Sequence, residues 1–489
     1  MGRPSSSNNL LFVHASLCYA PPYMPSTSEL KRTIGFRDLA LYYIVCAMSI
    51  RWTATAAGAG PSILVIWGAA LVCFFIPLAG CVMELSSRYP QEGGVYVWSR
   101  EAFGDFSGFI AAWTYWMSNL SYFPSVLYFG AASVLFAFGA RGRALTASPL
   151  YYIGFSVSWL AVITLLNILG ANAGKWLNNL CSLGGLLPLS VVILLGALSY
   201  WRFGPATHIT AASLAPQFSL KNAIFWSTVF FAFAGLESGS AMGDEIRNPR
   251  RVIPWAILAG GSVLTIGYVT GTASLLMALP GEAVSGPDGF VNGIRALSTR
   301  LGVGWLLAPM ALLVGLNGVG GAATFLASTS RLPFVAGIDH YLPSAFGKIH
   351  PRFRTPWVAI GIYGLAGMCM ALLGQAGTTV RGAYDVLVGM AVLTEFIPFL
   401  FMFSAMIRVQ DRAAAPEVRR VPGGRPVAIA LGSIGLASTV LTIVLSTIPA
   451  GDDPHPMLAV VKIIGSTAIL IGAGVLVFLL ARLRQRGTR

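Results

Sequence analysis

The stretch that decides the fold is "FFAFAGLESGSAMGDEIRNPRR", Phe230–Arg251. It starts as an apolar helix. Glu237 then stands mid-run beside Gly235 and Gly239, and Asp244, Glu245, Arg247, Arg250 and Arg251 crowd its end. A charge at membrane depth costs at least ~2.5–3.5 kcal/mol on insertion scales, so the carboxylate demands a reason. Glycine weakens a helix by about 1 kcal/mol relative to alanine, so the chain can open here. An opened helix exposes amides and carbonyls that hydrocarbon does not tolerate. They must face a ligand, an ion or a water-filled cavity.

The membrane setting follows from the whole chain. Of its 489 residues 55% are hydrophobic and only 10% charged, with a mean hydropathy of +0.71. Soluble domains carry about 25% charged residues. Runs such as "ILVIWGAALVCFFIPLAGCV" (Ile63–Val82) and "AILIGAGVLVFLL" (Ala468–Leu480) hold no charge, and the alternation of a membrane β-barrel is absent. We read twelve candidate spans, near 39–62, 63–87, 106–138, 151–170, 177–200, 222–243, 252–278, 304–330, 356–374, 383–407, 427–449 and 457–481. Of the 32 lysines and arginines, seven fall in the outer loops (Arg141, Arg143, Arg202, Lys221, Arg295, Arg300 and Arg381). Arg51 and Lys462 fall within spans, and the remaining 23 fall in the inner segments. The positive-inside rule then places both termini in the cytoplasm of a cell (plasma or inner) membrane protein. It also accounts for the net charge of +14 without nucleic acid.

Residues 1–35 read as a disordered cytoplasmic tail and 483–489 as a second tail, with no separate soluble domain. The six cysteines (Cys18, Cys46, Cys73, Cys81, Cys181, Cys369) have no metal-ligand or disulfide spacing and read as small packing residues. The five histidines lie in the tail or in loops. No nucleophile–base pair, metal set or phosphate loop is visible, so we expect no enzyme, no metal and no cofactor.

Span 1, "LALYYIVCAMSIRWTATAAGAGPSIL", departs from the plain pattern as span 6 does. Arg51 lies inside its apolar run, followed by Thr53, Thr55, Gly58, Gly60 and Pro61. Two Gly-interrupted spans five apart point to discontinuous helices in an inverted-repeat transporter. Half-helix N-termini suit a carboxylate and freed carbonyls suit an ammonium. That pair of charges describes an α-amino acid. The plainer reading is that these glycines let helices pack closely. Arg51 and Glu237 each need a partner, and we expect them near one another, either neutralising each other or holding ligand groups. In span 3, Tyr115, Ser118, Asn119 and Tyr122 share one helix face. In span 8, Asn317, Gly321, Thr324 and Ser328 do the same. In span 10, Asp385 and Glu395 are further buried-carboxylate candidates.

Three segments carry a family resemblance. "FFAFAGLESGSAMGDEIRNPRRVIPWAIL" (Phe230–Leu258), "STSRLPFVAGIDHYLPSAFGKIHPRFRTPWVAI" (Ser328–Ile360) and "ELSSRYPQEGGVYVWSREAFGDFSGFIAAW" (Glu84–Trp113) resemble signatures of the amino acid–polyamine–organocation superfamily of permeases. The spans 1–3 region is similar to glutamate/GABA antiporter-like and plant polyamine-transporter-like members. The resemblance implies an all-α membrane protein of twelve transmembrane helices in a 5+5 inverted-repeat, leucine-transporter-like fold. The repeats would be 36–202 and 220–408, with two additional spans in 426–482. It implies alternating access, with protons or a counter-substrate as coupling partners. It places substrate at the span 1 break (Ser49, Ile50, Arg51, Thr53, Ala54, Thr55) and the span 6 break (Phe231, Ala232, Phe233, Ala234, Gly235, Glu237). We add Tyr115, Asn119 and Asn317 from the polar faces. Phe231 matches an aromatic gate. The family's small Gly-Ser-Gly break is "SIRWTAT" here, and Arg51 in it favours substrates bearing a carboxylate. The place near Gly185, where some members carry a lysine after the Asn178–Asn179 pair, holds no cation. The expectation is therefore a secondary active amino acid transporter by symport or antiport. The alternatives are a polyamine or organic cation carrier and a non-transporting amino acid sensor.

Overall fold

A computed structural model describes residues 32–217, 220–279, 288–374, 380–447 and 456–487. The tail expected over 1–35 lies almost wholly outside the described residues. The described chain is helical. The principal helices are α1 (Phe36–Ala47), α2 (Arg51–Ala57), α3 (Ile63–Arg88), α4 (Asp105–Leu135), α5 (Pro149–Leu169), α6 (Ala171–Phe203) and α7 (Leu220–Phe231). They continue with α8 (Pro249–Ala278), α9 (Leu307–Thr329), α10 (Trp357–Gly374), α11 (Val380–Val409), α12 (Gly424–Ser446) and α13 (Pro456–Gly487). Within α3 a π-helical turn, Leu71–Phe75, precedes Pro77. Proline lacks an N–H for the carbonyl four residues back, and the ladder widens there.

Ten helices among the described residues are long and apolar enough to cross a membrane, fewer than the twelve spans expected. The two that fall short have a physical reason. The sixth segment stops at Phe231 after 12 residues, roughly 18 Å at 1.5 Å per residue. Trp357–Gly374 has 18 residues, roughly 27 Å, against a hydrocarbon core of about 30 Å.

The helices sort by burial. The best window of Phe36–Ala57 is 89% buried, whereas that of Ile463–Arg486 is only 17% buried. The broken first segment therefore lies at the centre and the last helix at the rim. Exposed Leu, Val, Ile and Trp side chains such as Leu194, Ile266, Leu365 and Trp305 cover the outside, as a lipid-facing surface requires.

Inside, small residues set the distances between helices. A methyl added at Gly320 would sit 2.3 Å from Cys181 Cβ, and one at Gly184 would sit 2.5 Å from the Leu313 carbonyl oxygen. α6 and α9 thus touch backbone to backbone, and Asn317 packs against this seam at Gly184 and Gly185. The close-packing reading of small residues holds here.

One backbone pairing ties the start of the bundle to its middle. Ile34 and Ile246 form an isolated parallel bridge. Thr33 and Ile34 amides donate to Glu245 O at 3.0 and 3.1 Å, and the Arg247 amide donates to Ile34 O at 2.9 Å.

Gly184→Leu should lower the thermal midpoint of the purified protein in detergent, overpacking costing about 1–3 kcal/mol. Gly361→Leu, where an added methyl meets nothing within 4 Å, should leave the midpoint unchanged.

Candidate substrate-binding site

Two interruptions adjoin in the core. α1 stops at Ala47 and α2 restarts at Arg51, with Met48 at φ −84° and ψ 75° between them. This break contains no glycine; Gly58 instead caps the end of α2. The Ala47 carbonyl, orphaned by the break, accepts from the Ser49 amide at 3.0 Å and from Tyr268 Oη at 2.6 Å.

The second interruption follows Phe231, where α7 gives way to turns and then to a 3-10 helix, Ser238–Glu245. Gly235 holds φ +112°, a conformation that only glycine adopts readily. Glu237, fully buried, folds back onto it. Its Oε1 and Oε2 accept from the Gly235 amide at 3.1 and 3.0 Å, and Oε1 also accepts from Tyr115 Oη at 2.5 Å. The carboxylate satisfies an amide that the broken helix leaves bare. Gly239 serves differently. A methyl there would strike Tyr43 Oη at 2.6 Å, so its bare Cα lets Tyr43 approach.

A narrow cavity of about 20 Å³ lies between the breaks, enough for roughly one water. α1 contributes Cys46 and Ala47, and α2 contributes Trp52. α4 gives Asn119 and Tyr122, the second break gives Phe231, Ala232 and Ala234, and α9 gives Phe325. α11 gives Ala391 and Glu395. Trp52 and Phe231 meet edge to face at 5.6 Å.

Arg51 is 2% exposed, yet it forms no ion pair with any described residue. Its Nη1 donates to Ser125 Oγ at 3.4 Å, and its Nε has no partner. Its guanidinium carbon lies 4.2, 5.2 and 5.8 Å from the ring centroids of Trp52, Tyr122 and Tyr384. The expected neutralisation of Arg51 by Glu237 is not seen, because Glu237 is held by Gly235 and Tyr115.

The polar face of α4 organises the acids. Tyr115 holds Glu237, and Ser118 Oγ donates to Glu395 Oε2. Asn119 Nδ2 donates back to the Tyr115 carbonyl at 3.0 Å. Other expected residues stand apart from the cavity. Thr53 Oγ1 donates to Ile50 O at 2.6 Å and Thr55 Oγ1 to Arg51 O at 3.1 Å, both within the local chain. Phe233 packs on Trp67 and Phe75. Ile50 and Ala54 are buried packing residues, and the Ser49 hydroxyl is buried without a partner. Asn317 lies at the α6–α9 seam. The side chain of Asp385 lies outside the described residues.

Sequence reasoning missed Cys46, Ala47, Trp52, Phe325 and Ala391 as lining. Cys46 does more than pack: its Sγ lies 3.1 Å from Ser238 Oγ. Nothing in an apolar run distinguishes Phe325 or Ala391 from their neighbours.

A second cavity of about 60 Å³ lies on the side of the chain's N-terminus, with Asp38, Tyr42, Asn178, Thr324, Glu245 and Arg331 among its walls. Tyr42 Oη lies 3.3 Å from Ser238 Oγ and donates to Thr324 O at 3.2 Å. Ser238 therefore joins a residue of each cavity, Cys46 and Tyr42. Beside it, Arg331 Nη2 pairs with Glu245 Oε1 at 2.7 Å and Arg331 Nε lies 3.8 Å from Glu92 Oε1. Glu92 Oε2 accepts from the Asp244 amide at 3.0 Å. Burial pushes Glu92 well above the usual carboxyl range, Glu245 adds to the rise, and Arg331 opposes it.

Residues 35–473 match the model of the amino acid permease family. The chain belongs to that family. It is 26% identical over 427 residues to an uncharacterized transporter of Legionella pneumophila, covering 87% of this chain and 91% of the relative. It is 23% identical over 448 residues to a Lactococcus lactis protein named a probable agmatine/putrescine antiporter, AguD (90% and 93% covered). It is 26% identical over 392 residues to the serine/threonine exchanger SteT of Bacillus subtilis (76% and 82% covered). The relatives are transporters, and this chain is a multi-pass membrane transporter of the same family.

Arg331→Ala leaves Glu92 and Glu245 buried together without a cation. Removing one partner of a buried pair costs about 3–5 kcal/mol. A carboxyl raised on folding holds its proton more tightly folded than unfolded, so stability falls as pH rises through that range. The variant should therefore melt lower than wild type at about pH 8 and recover part of the loss at about pH 5, read by thermal unfolding in detergent.

Proposed function

We propose that the protein is a secondary active amino acid transporter. It works by alternating access around the central cavity, in proton symport or substrate antiport. It sits in the cell membrane with both termini cytoplasmic, and 36–202 and 220–408 act as its two inverted repeats. The observation that carries the substrate class is Arg51. A guanidinium at membrane depth is costly unless paired, and here aromatic rings and one hydroxyl surround it. A substrate carboxylate completes the set. The broken helices, the place of Phe231 in the cavity wall and the serine/threonine exchanger among the relatives support the same reading.

A second reading has one observation in its favour. Two carboxylates, Glu237 and Glu395, hang from neighbouring turns of α4, and one relative is named for agmatine and putrescine. A carrier of amines lacking a carboxylate would take up putrescine unaffected by competing amino acids. On the amino acid reading, amino acids compete, and proteoliposome uptake decides between the two.

Arg51→Ala should abolish most uptake of carboxylate-bearing substrates while the protein stays folded. Hydrogen bonds to charged groups contribute about 1.5–3 kcal/mol, so apparent affinity should fall roughly 10- to 100-fold. Counterflow in proteoliposomes measures it, and wild-type counterflow in the variant would remove Arg51 from the site.

A further inference from the structure

Glu395 has a property that Glu237 lacks. It sits in the apolar interior of α11, 4% exposed, and forms part of the central cavity wall. Ser118 donates to its Oε2, while its Oε1 is buried with no hydrogen-bond partner. Glu237 is fully committed by comparison, since both its oxygens accept from Gly235 and one also from Tyr115. The cavity therefore presents one carboxylate oxygen without a donor.

Charge balance points the same way. Among the described residues, Glu395 lines the cavity, Arg51 packs on its walls Trp52 and Tyr122, and Glu237 lies beside it on Tyr115. With all three ionised the site carries an excess negative charge, and low dielectric makes that excess unfavourable. A zwitterionic amino acid brings equal charges and leaves the excess in place. A molecule with one carboxylate and two ammonium groups removes it.

We propose that Glu395 docks a second, distal ammonium of the substrate, and that the site is thereby selective for basic amino acids. The proposal rests on the transport reading above and names the class it serves. The carboxylate of such a substrate faces Arg51, and one of its ammonium groups donates to Glu395 Oε1. Once the cavity opens beyond the one-water volume seen here, as alternating access requires, its unbranched methylene chain lies against Trp52, Phe231 and Phe325, the apolar rings of the wall. Glu395 acts here as a specificity-determining contact.

The test compares lysine with norleucine, which has the same chain length and lacks only the distal amine. Purified full-length protein is reconstituted in proteoliposomes, and counterflow of each labelled compound is measured. Wild type should favour lysine by about tenfold or more, the scale of one well-placed charged contact. Glu395→Gln should bring the lysine-to-norleucine ratio close to one. Glu395→Asp, which keeps the charge but withdraws it by a methylene, should give an intermediate ratio. This also covers the case in which the glutamine variant does not fold. An unchanged ratio in Glu395→Gln overturns the proposal. So does joint loss of both fluxes in a folded variant, because Glu395 then serves the substrate's common part. Wild-type transport of norleucine without a preference for lysine overturns this inference alone. Absence of counterflow for any amino acid overturns the transport reading itself.

Discussion

Hydrocarbon offers a peptide group no partner, and an unsatisfied one costs several kcal/mol. The bond from the Gly235 amide to the Glu237 carboxylate meets that constraint at the buried break of the sixth segment. With this amide satisfied, the sixth segment can stop at Phe231 and resume as a 3-10 helix seven residues later. The carboxylate must itself be held, and Tyr115 does so. That fixes one face of α4 against the break, and the same face carries Ser118 to Glu395 and Asn119 and Tyr122 to the cavity. The cavity is thus the space left between two breaks, each held by a neighbouring helix.

The charges fall into two groups with different tasks. On the side of the chain's N-terminus, Glu92, Glu245 and Arg331 meet one another, and their field is largely closed. At the centre, Arg51 and one oxygen of Glu395 have no mutual partner. Paired charge holds elements together, and the central charges lack such an ion pair among the described residues. The family's framework is shared by relatives named for serine and threonine and for agmatine and putrescine. Such differences in cargo must arise from the lining, since function resides in sites carried on a common fold.

The helical class, the membrane setting and the break at Gly235 were legible in the sequence, because each rests on local composition. The polar face of α4 was legible too, because helical periodicity alone brings Tyr115, Ser118, Asn119 and Tyr122 together. The first break was placed less well. It falls at Met48–Ile50, where no glycine marks it, and is stabilised by Tyr268 reaching from α8. A tertiary partner of that kind leaves no trace in the residues it serves. Of the two roles expected for Arg51 and Glu237, mutual neutralisation is not seen, for a similar reason. Both are isolated charges in the sequence, but Glu237 finds its donors two residues away and on α4. Asn317 shared a helical stripe with pathway residues, yet faces a glycine seam that only packing reveals.

The pairing of Ile34 with Ile246 bears on how the protein is made. These two bridged residues are 212 apart in the chain (246 − 34). At a synthesis rate of about 5–20 residues per second, the second emerges roughly 10–40 s after the first. During that interval the leading segment lies in the translocation machinery or bilayer with the amides of Thr33 and Ile34 unpaired by their final partner. The first helix thus gains this backbone pairing only once the sixth segment has been made. Its biogenesis waits on the sixth segment, and a premature stop anywhere before residue 246 leaves the first helix without its anchor.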